Sequence, residues 1–406
     1  MVRWLLPLCA LFLAPAALEA AERPTFGVRY TVWIKPEEKA AVVKIRLRPH
    51  PEWVDWIELP VDPDRYDRFL ASGELAVLAE RVRWHPPAED AWLQYRVRLE
   101  SRRANGRYDG LITPDWALFR LDDLVPPWRV SFRDGTASRA KLEFRLPEGW
   151  SVATRYPRYR SGRFKVDEPR RYFDRPSGWV VMGRIGVKRE TLAGTRVAVA
   201  APLGQGFRYM DYLALLAWTL PELRRLLPDF PERLLVVGAG DPMWRGALSG
   251  PGSLYLHADR PLLSNNATSP LLHELIHVGM RARSAPGADW IVEGLAEYYS
   301  LELLRRTGTI TERRHARAMA QLAEWGKAAE RLDVPRAHGP ITARAVGELA
   351  RIDREIRSKS AGAHSLDDVV RALAAKDRAV TAERFFALVE RYSRAPAGAG
   401  EGQGGD

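Results

Sequence analysis

His273, Glu274 and His277 stand as H-E-x-x-H inside the apolar stretch SPLLHELIHVGMRARS. On an α-helix, residues four apart share a face, so the two imidazoles can converge on one zinc ion while Glu274, one position round, reaches a water on that ion. Such a pair needs a third ligand, usually a carboxylate from a following helix, to leave one zinc position open for water. Glu293, in WIVEGLAEYYS, supplies it. Glu297, one turn further, can accept the free N–H of a ligating histidine and so fix its tautomer. Two glutamates four apart repel on a bare helix, and a neighbouring dication relieves that repulsion. The chemistry expected of this pattern is hydrolysis, with one Zn2+ per chain activating a water and Glu274 as general base.

The elements that must position these residues follow from periodicity. Ser269 is placed to cap, and Pro270 to open, the helix carrying the two histidines, and a second helix fits 288–306. Further helices are expected over 209–227, from the capping-box spacing of Thr309 and Glu312 to about 332, after Ser365, and from Thr381 to 392. RLLVVGAG, at 233–240, reads as a buried strand entering a glycine turn. Before residue 200 the pattern is different. Apolar residues alternate or come in short runs broken by Gly, Pro, Asp and Asn, as at 30–34, 41–47, 92–99 and 141–146, which predicts strands. Nine of the fourteen tryptophans fall between Trp33 and Trp179, where they would fill the space between two sheets. The expected fold is therefore α+β and multidomain. A β-sandwich-like domain over 22–200 precedes a mainly helical domain over 201–394.

Composition is ordinary for globular material, with 46% hydrophobic and 28% charged residues, which excludes disordered, collagen-like and coiled-coil classes. The single cysteine, Cys9, lies in an N-terminal stretch with Arg3, an apolar run over 4–18 and small residues at Ala20 and Ala21. That is the pattern of a secretory signal over 1–20, too short and too proline-broken for a membrane span. The expectation is an exported chain, most simply in a bacterial periplasm, whose mature form lacks thiols and whose metal site is built from histidine and carboxylate. Residues 395–406, with five glycines in twelve, read as a disordered tail. The net charge of +11 is uneven: 151–200 alone hold 12 basic and 4 acidic side chains. Residues 155–173, RYPRYRSGRFKVDEPRRYF, interleave cations and aromatics, which raises an anionic envelope polymer as a partner of the β-domain. No nucleic-acid motif accompanies that charge.

HELIH followed by WIVEGLAEYY resembles the active-site pair of the gluzincin metallopeptidases, specifically the zinc aminopeptidases and the glycyl aminopeptidase family. The resemblance extends to IDREIRSKSAGAHSLDDVVRAL at 352–373 and to LPEGWSVAT and SGWVVMG near Leu146 and Ser177. It implies a thermolysin-like catalytic domain with His273, His277 and Glu293 as zinc ligands, Glu274 as the catalytic carboxylate, and a peptide or protein substrate. Three departures stand out. Fifteen residues separate His277 from Glu293, where the zinc aminopeptidases usually have eighteen. The tyrosine of their Y-x-K-G motif is replaced, in RAVG, by Arg344, which could donate to an oxyanion; His338 and Tyr392 are the other candidates. The stretch that would carry their amine-binding glutamate, 245–257, holds no carboxylate. The expectation is thus a zinc peptidase that cuts internally rather than at a free N-terminus, with Gly252, Tyr255 and His257 on a strand that pairs with substrate. A non-catalytic envelope scaffold that keeps the peptidase fold is the competing reading.

Overall fold

The computed structural model describes residues 23–168, 171–375 and 378–394. The expected export signal with Cys9, and the glycine-rich tail, lie outside the described residues. In the N-terminal part, alternation along Thr25–Lys35 buries Phe26, Val28, Tyr30, Val32 and Ile34 on one face. This strand is central in a seven-stranded sheet, parallel to Ala137–Arg145 and antiparallel to Ala40–Leu47. A four-stranded and a five-stranded sheet complete the layer opposite. Tyr30, Ile45 and Tyr95 of the large sheet share one core with Ile57 and Trp84 of the second and with Phe119 and Val180 of the third. Alternating inward residues from facing sheets make this a sandwich-like domain.

The C-terminal part begins with a second β-element. Strands β1 (Ile185–Leu192), β2 (Thr195–Pro202), β3 (Arg233–Ala239), β4 (Ala247–Gly250) and β5 (Ser253–His257) form a sheet in the order β1-β2-β3-β5-β4. Because β2 is parallel to β3 and antiparallel to β1, this sheet runs across residue 200, where the sequence pattern changes period. Periodicity reports the local chain, whereas sheet membership depends on pairing with residues some forty positions away. Among the described residues, seven helices follow or interrupt the sheet: α1 (Tyr209–Leu226), α2 (Pro270–Met280), α3 (Asp289–Arg306), α4 (Glu312–Gly326), α5 (Pro340–Lys359), α6 (Leu366–Ala374) and α7 (Ala382–Tyr392). The architecture is α+β and multidomain, with a sheet-rich N-terminal part and a helical C-terminal part.

Two helix limits differ from the sequence expectation. Thr311, not Thr309, caps α4 by accepting the Arg314 N–H at 3.2 Å. The helix stops at Gly326 because α5 crosses there: a Cβ on Gly326 would meet the Arg344 backbone nitrogen at 2.7 Å. The long helix α5 escaped the sequence reading, since much of its buried face is alanine (Ala343, Ala345, Ala350).

The two parts meet through a core of their own. Leu118, Trp179 and Val181 from the N-terminal part pack on Leu235, Val237 and Tyr255 of the second sheet. The Trp179 and Tyr255 rings lie 5.2 Å apart. Across the same junction the Trp244 N–H donates to the Tyr108 carbonyl at 2.9 Å, and Arg107 pairs with Asp241.

Candidate metal centre

Helix α2 starts where Ser269 accepts the Leu272 N–H at 3.4 Å and Pro270 presets the first turn. It ends at Arg281, which adopts a left-handed conformation (φ 51°). Leu271, Leu272, Leu275 and Ile276 are fully buried, so the apolar face sits in the domain core and the histidine face is turned to α3. Gly279 permits close approach: a Cβ there would lie 2.6 Å from Leu227.

Helix α3 is held at both ends. Asp289 accepts from the Ser284 hydroxyl at 2.7 Å and the Ala337 N–H at 2.8 Å. Near its C-terminus, Arg306 makes a bidentate pair with Asp367 at 2.8 and 2.9 Å, and the Tyr299 hydroxyl donates to the same carboxylate at 2.8 Å. In the middle, Gly294 lets α5 come against the helix, since a Cβ would meet that of Ala345 at 2.7 Å. Two tethers and a close packing contact thus fix the height of Glu293 opposite α2.

His273, His277 and Glu293 bring ligand-type atoms together, all within 4.8 Å of one another. The edges of the triangle are 3.2 Å between the two Nε2 atoms, 3.4 Å from His273 Nε2 to Glu293 Oε2, and 3.5 Å from His277 Nε2 to Glu293 Oε1. A tetrahedral zinc with bonds of about 2.0–2.1 Å sets its ligands roughly 3.3–3.4 Å apart, so the donor set fits the ion. The fourth corner is left to a water or substrate atom. On the other side of its ring, His273 Nδ1 lies 2.9 Å from Glu297 Oε2. With the Nδ1 proton donated to Glu297, the Nε2 lone pair faces the triangle. Glu274 is buried beside His273 on the same helix.

The electrostatics call for a cation. Burial alone would depress His273, but the hydrogen bonds it donates to Glu293 and Glu297 outweigh that and raise its pKa to about 10. Burial would raise Glu293, yet its contacts with the two histidines hold its carboxyl well below the usual range. Ordinary packing does not need this concentration of carboxylate around two half-buried imidazoles. A metal ion would satisfy it.

No family model and no curated protein sequence matches the chain. Its fold, however, has solved counterparts. An aminopeptidase N family protein from Idiomarina loihiensis superposes with a TM-score of 0.63 at 14% identity, over 86% of this chain and 70% of that one. The M1 zinc metallopeptidase from Deinococcus radiodurans gives 0.56 at 15% identity, over 91% of this chain and 90% of its own; a mutant of the same enzyme gives 0.56 at 14%. At these identities the likeness is one of fold. This chain shares the multidomain architecture of these aminopeptidase N-like structures.

Other residues singled out in the sequence are placed elsewhere. Arg344 donates through Nη1 to the carbonyls of Ala329 at 2.6 Å and Glu330 at 2.8 Å, which anchors the segment after α4 and leaves it no contact with the triad. His338 is near its own loop, 3.3 Å from the Arg336 carbonyl, and Tyr392 packs on His364 at 5.2 Å. The substrate strand is also corrected. β5 has β3 on one side and β4 on the other, so neither edge is open for strand addition. Tyr255 and His257 are buried, Tyr255 at the junction core and His257 with Nδ1 accepting the Asp259 N–H at 3.2 Å. Gly252 (φ 54°) sits where a Cβ would lie 3.1 Å from the Arg155 side chain and 3.3 Å from the Arg233 carbonyl. The edge strand is β4, and it packs against α2. A short Gly- and Pro-bounded segment such as 246–251 signals an edge, but only the sheet order shows which of two adjacent strands is outermost.

The basic stretch at 155–175 is dispersed in the same way. Arg155 pairs with Glu168, Arg163 lies 3.3 Å from Glu143, and Arg175 is buried against Asp122 at 3.1 Å. Three of its six described arginines are thus paired with separate carboxylates.

Proposed function

We propose that the protein is a zinc-dependent peptidase. The observation that carries this reading is the His273–His277–Glu293 triangle at tetrahedral spacing, with Glu297 fixing the tautomer of His273. Bound zinc would lower the pKa of a coordinated water toward neutrality and polarise the scissile carbonyl. Glu274, on the turn between the two histidines, takes the proton from the attacking water and delivers it to the leaving nitrogen. The edge of β4 beside α2 offers backbone groups to an extended peptide.

The reading extends to internal cleavage. Residues 245–257 carry no carboxylate to receive a substrate ammonium, and a cation lies against β4, where Arg120 Nη1 donates to the Ser249 carbonyl at 3.3 Å. We also read the N-terminal stretch as an export signal that delivers the enzyme to the periplasm. Among the described residues, no helix is long and apolar enough to cross a membrane. The further likeness to the glycyl aminopeptidases rests on residues 352–373, which enter α5 and α6 behind α3.

Metal analysis combined with Glu274→Gln tests the proposal on N-acetylated and free peptides. The expected result is one zinc per chain in both proteins, with internal cleavage only in the parent. Release of single residues from free peptides alone would overturn the internal-cleavage reading. Bound zinc without hydrolysis of any peptide would favour the scaffold reading, for which the diversion of Arg344 from the site is the specific observation.

A further inference from the structure

A second concentration of charge lies away from the zinc cluster. A cavity of about 620 Å³ opens at the junction of the two parts, and five arginines line it: Arg155, Arg158, Arg189, Arg196 and Arg233. The first two belong to the N-terminal part, near the strands Ser151–Thr154 and Arg158–Arg160; the others come from β1, β2 and β3. Glu190 is the only carboxylate in the lining.

The pairing of these arginines is incomplete. Arg155 is neutralised by Glu168, and Arg196 has a loose contact of 3.6 Å with the exposed Glu232. Arg158 makes a single bond of 3.4 Å to the Val152 carbonyl. Among the described residues, Arg189 and Arg233 have neither a side-chain hydrogen bond nor an ion pair. After Glu190 is counted, an excess of about two positive charges faces the cavity. Burial, and after it the charge of Arg196, pull the Arg233 guanidinium below its ordinary pKa. Unpaired like charges that line one cavity repel, and an anion between them would relieve that repulsion.

The composition of the lining selects the anion. All five cations are arginines, whose planar forks grip tetrahedral oxyanions through paired hydrogen bonds, and none is lysine. One carboxylate would leave the excess half compensated, whereas a phosphate group with roughly two negative charges closes it. The volume falls within the range of about 300–1,000 Å³ typical of small-molecule sites, and the lining also includes the apolar Phe164, Ala153 and Ala198. We propose that this cavity binds a compact phosphate-bearing ligand that bridges the two parts of the molecule. The inference is independent of the zinc reading.

Isothermal titration with inorganic pyrophosphate at fixed ionic strength tests it. The full chain and a His273→Ala variant are both titrated, so that zinc chelation does not register as binding. Arg189→Gln and Arg233→Gln should each weaken binding by about tenfold or more, and Arg160→Gln, the same charge change outside the cavity, by less than about twofold. Arg189 lies on an exposed hairpin, so its variant keeps the test valid should the Arg233 variant misfold. Acetate at equal ionic strength should not compete. Co-sedimentation with phosphatidic acid vesicles that pyrophosphate reverses would make a lipid headgroup the source of the phosphate; pyrophosphate binding without co-sedimentation would make it a soluble one. Equal weakening by Arg160→Gln and Arg189→Gln, or no saturable binding by about 10 mM, overturns the proposal.

Discussion

The zinc cluster takes its side chains from two consecutive helices, α2 and α3, whereas the arginine cavity collects its own from the N-terminal β-domain and three strands of the second sheet. In the first, opposite charges face each other: two imidazoles against Glu293 and Glu297, at 2.9–3.5 Å. In the second, charges of one sign are left over. The difference is between two ways of assembling a cluster of side chains. Helix pitch can place a metal's donors almost unaided, because spacing along one chain segment is already spacing in space. A site at a domain junction exists only after docking, which here is held by the apolar core of Leu118, Trp179, Leu235 and Val237.

The sharpest way to separate the roles within the zinc cluster is Glu274→Gln. Peptide hydrolysis should fall by about 10²–10⁴-fold, while zinc content by elemental analysis stays at one per chain. Loss of metal together with activity would mean that Glu274 holds the cluster rather than the proton. Next in size is Glu297→Gln, expected to weaken zinc affinity about 10–100-fold in competition with a chromogenic chelator. An unchanged affinity would show that α2 alone orients His273.

The same cluster predicts an opposed pH dependence for binding and for stability. Zinc needs His273 neutral, and its pKa in the metal-free fold is raised to about 10 from 6.5, so zinc affinity should rise up to tenfold per pH unit below that value. For chelated protein the sign reverses. A raised pKa contributes stability that is complete below pH 6.5 and is lost as pH climbs through about 10. Denaturant titrations of chelated protein at pH 6 and pH 9 should therefore show the lower stability at pH 9, and His273→Ala should flatten the difference.

Smaller effects probe the scaffold behind the comparison. Gly294→Ala forces a methyl to within 2.7 Å of Ala345 and should cost about 1–3 kcal/mol in thermal or chemical unfolding, with zinc affinity falling in step as Glu293 shifts. Arg344→Gln removes the tether to Ala329 and Glu330; stability should drop by about 1 kcal/mol and turnover should change less than about twofold. A large loss of turnover at unchanged stability would return Arg344 to the active site.

Legibility followed the range of the interactions. The caps at Ser269, Ser365 and Thr381 were readable because each satisfies backbone donors within three residues. The contact of Glu297 with His273 was readable from one turn of helix beyond the third ligand. Arg344 misled because a motif-like position in the chain says nothing of which carbonyls lie opposite, and here two carbonyls after α4 claimed its guanidinium. Tyr255 and His257 misled for a related reason: an apolar strand is equally suited to the middle of a sheet and to a cleft edge. The basic run at 155–175 lost its apparent unity once Arg155 paired with Glu168 of the run itself, Arg163 met Glu143 of a neighbouring strand, and Arg175 met Asp122 of a short helix.

By itself, the sequence determined the donor types, their helical spacing, the change from period two to period 3.6 near residue 200, and hence a histidine–carboxylate cluster of metal-ligand spacing in a helical domain behind a β-domain. These depend on contacts within a few turns of one chain segment, where covalent geometry leaves little freedom. Only the tertiary structure decided that β4 rather than β5 is the sheet edge, that Arg344 serves α4, and that five arginines from both parts share one cavity. Each of those depends on partners tens of residues apart, brought together by burial of apolar surface that has no memory of sequence distance.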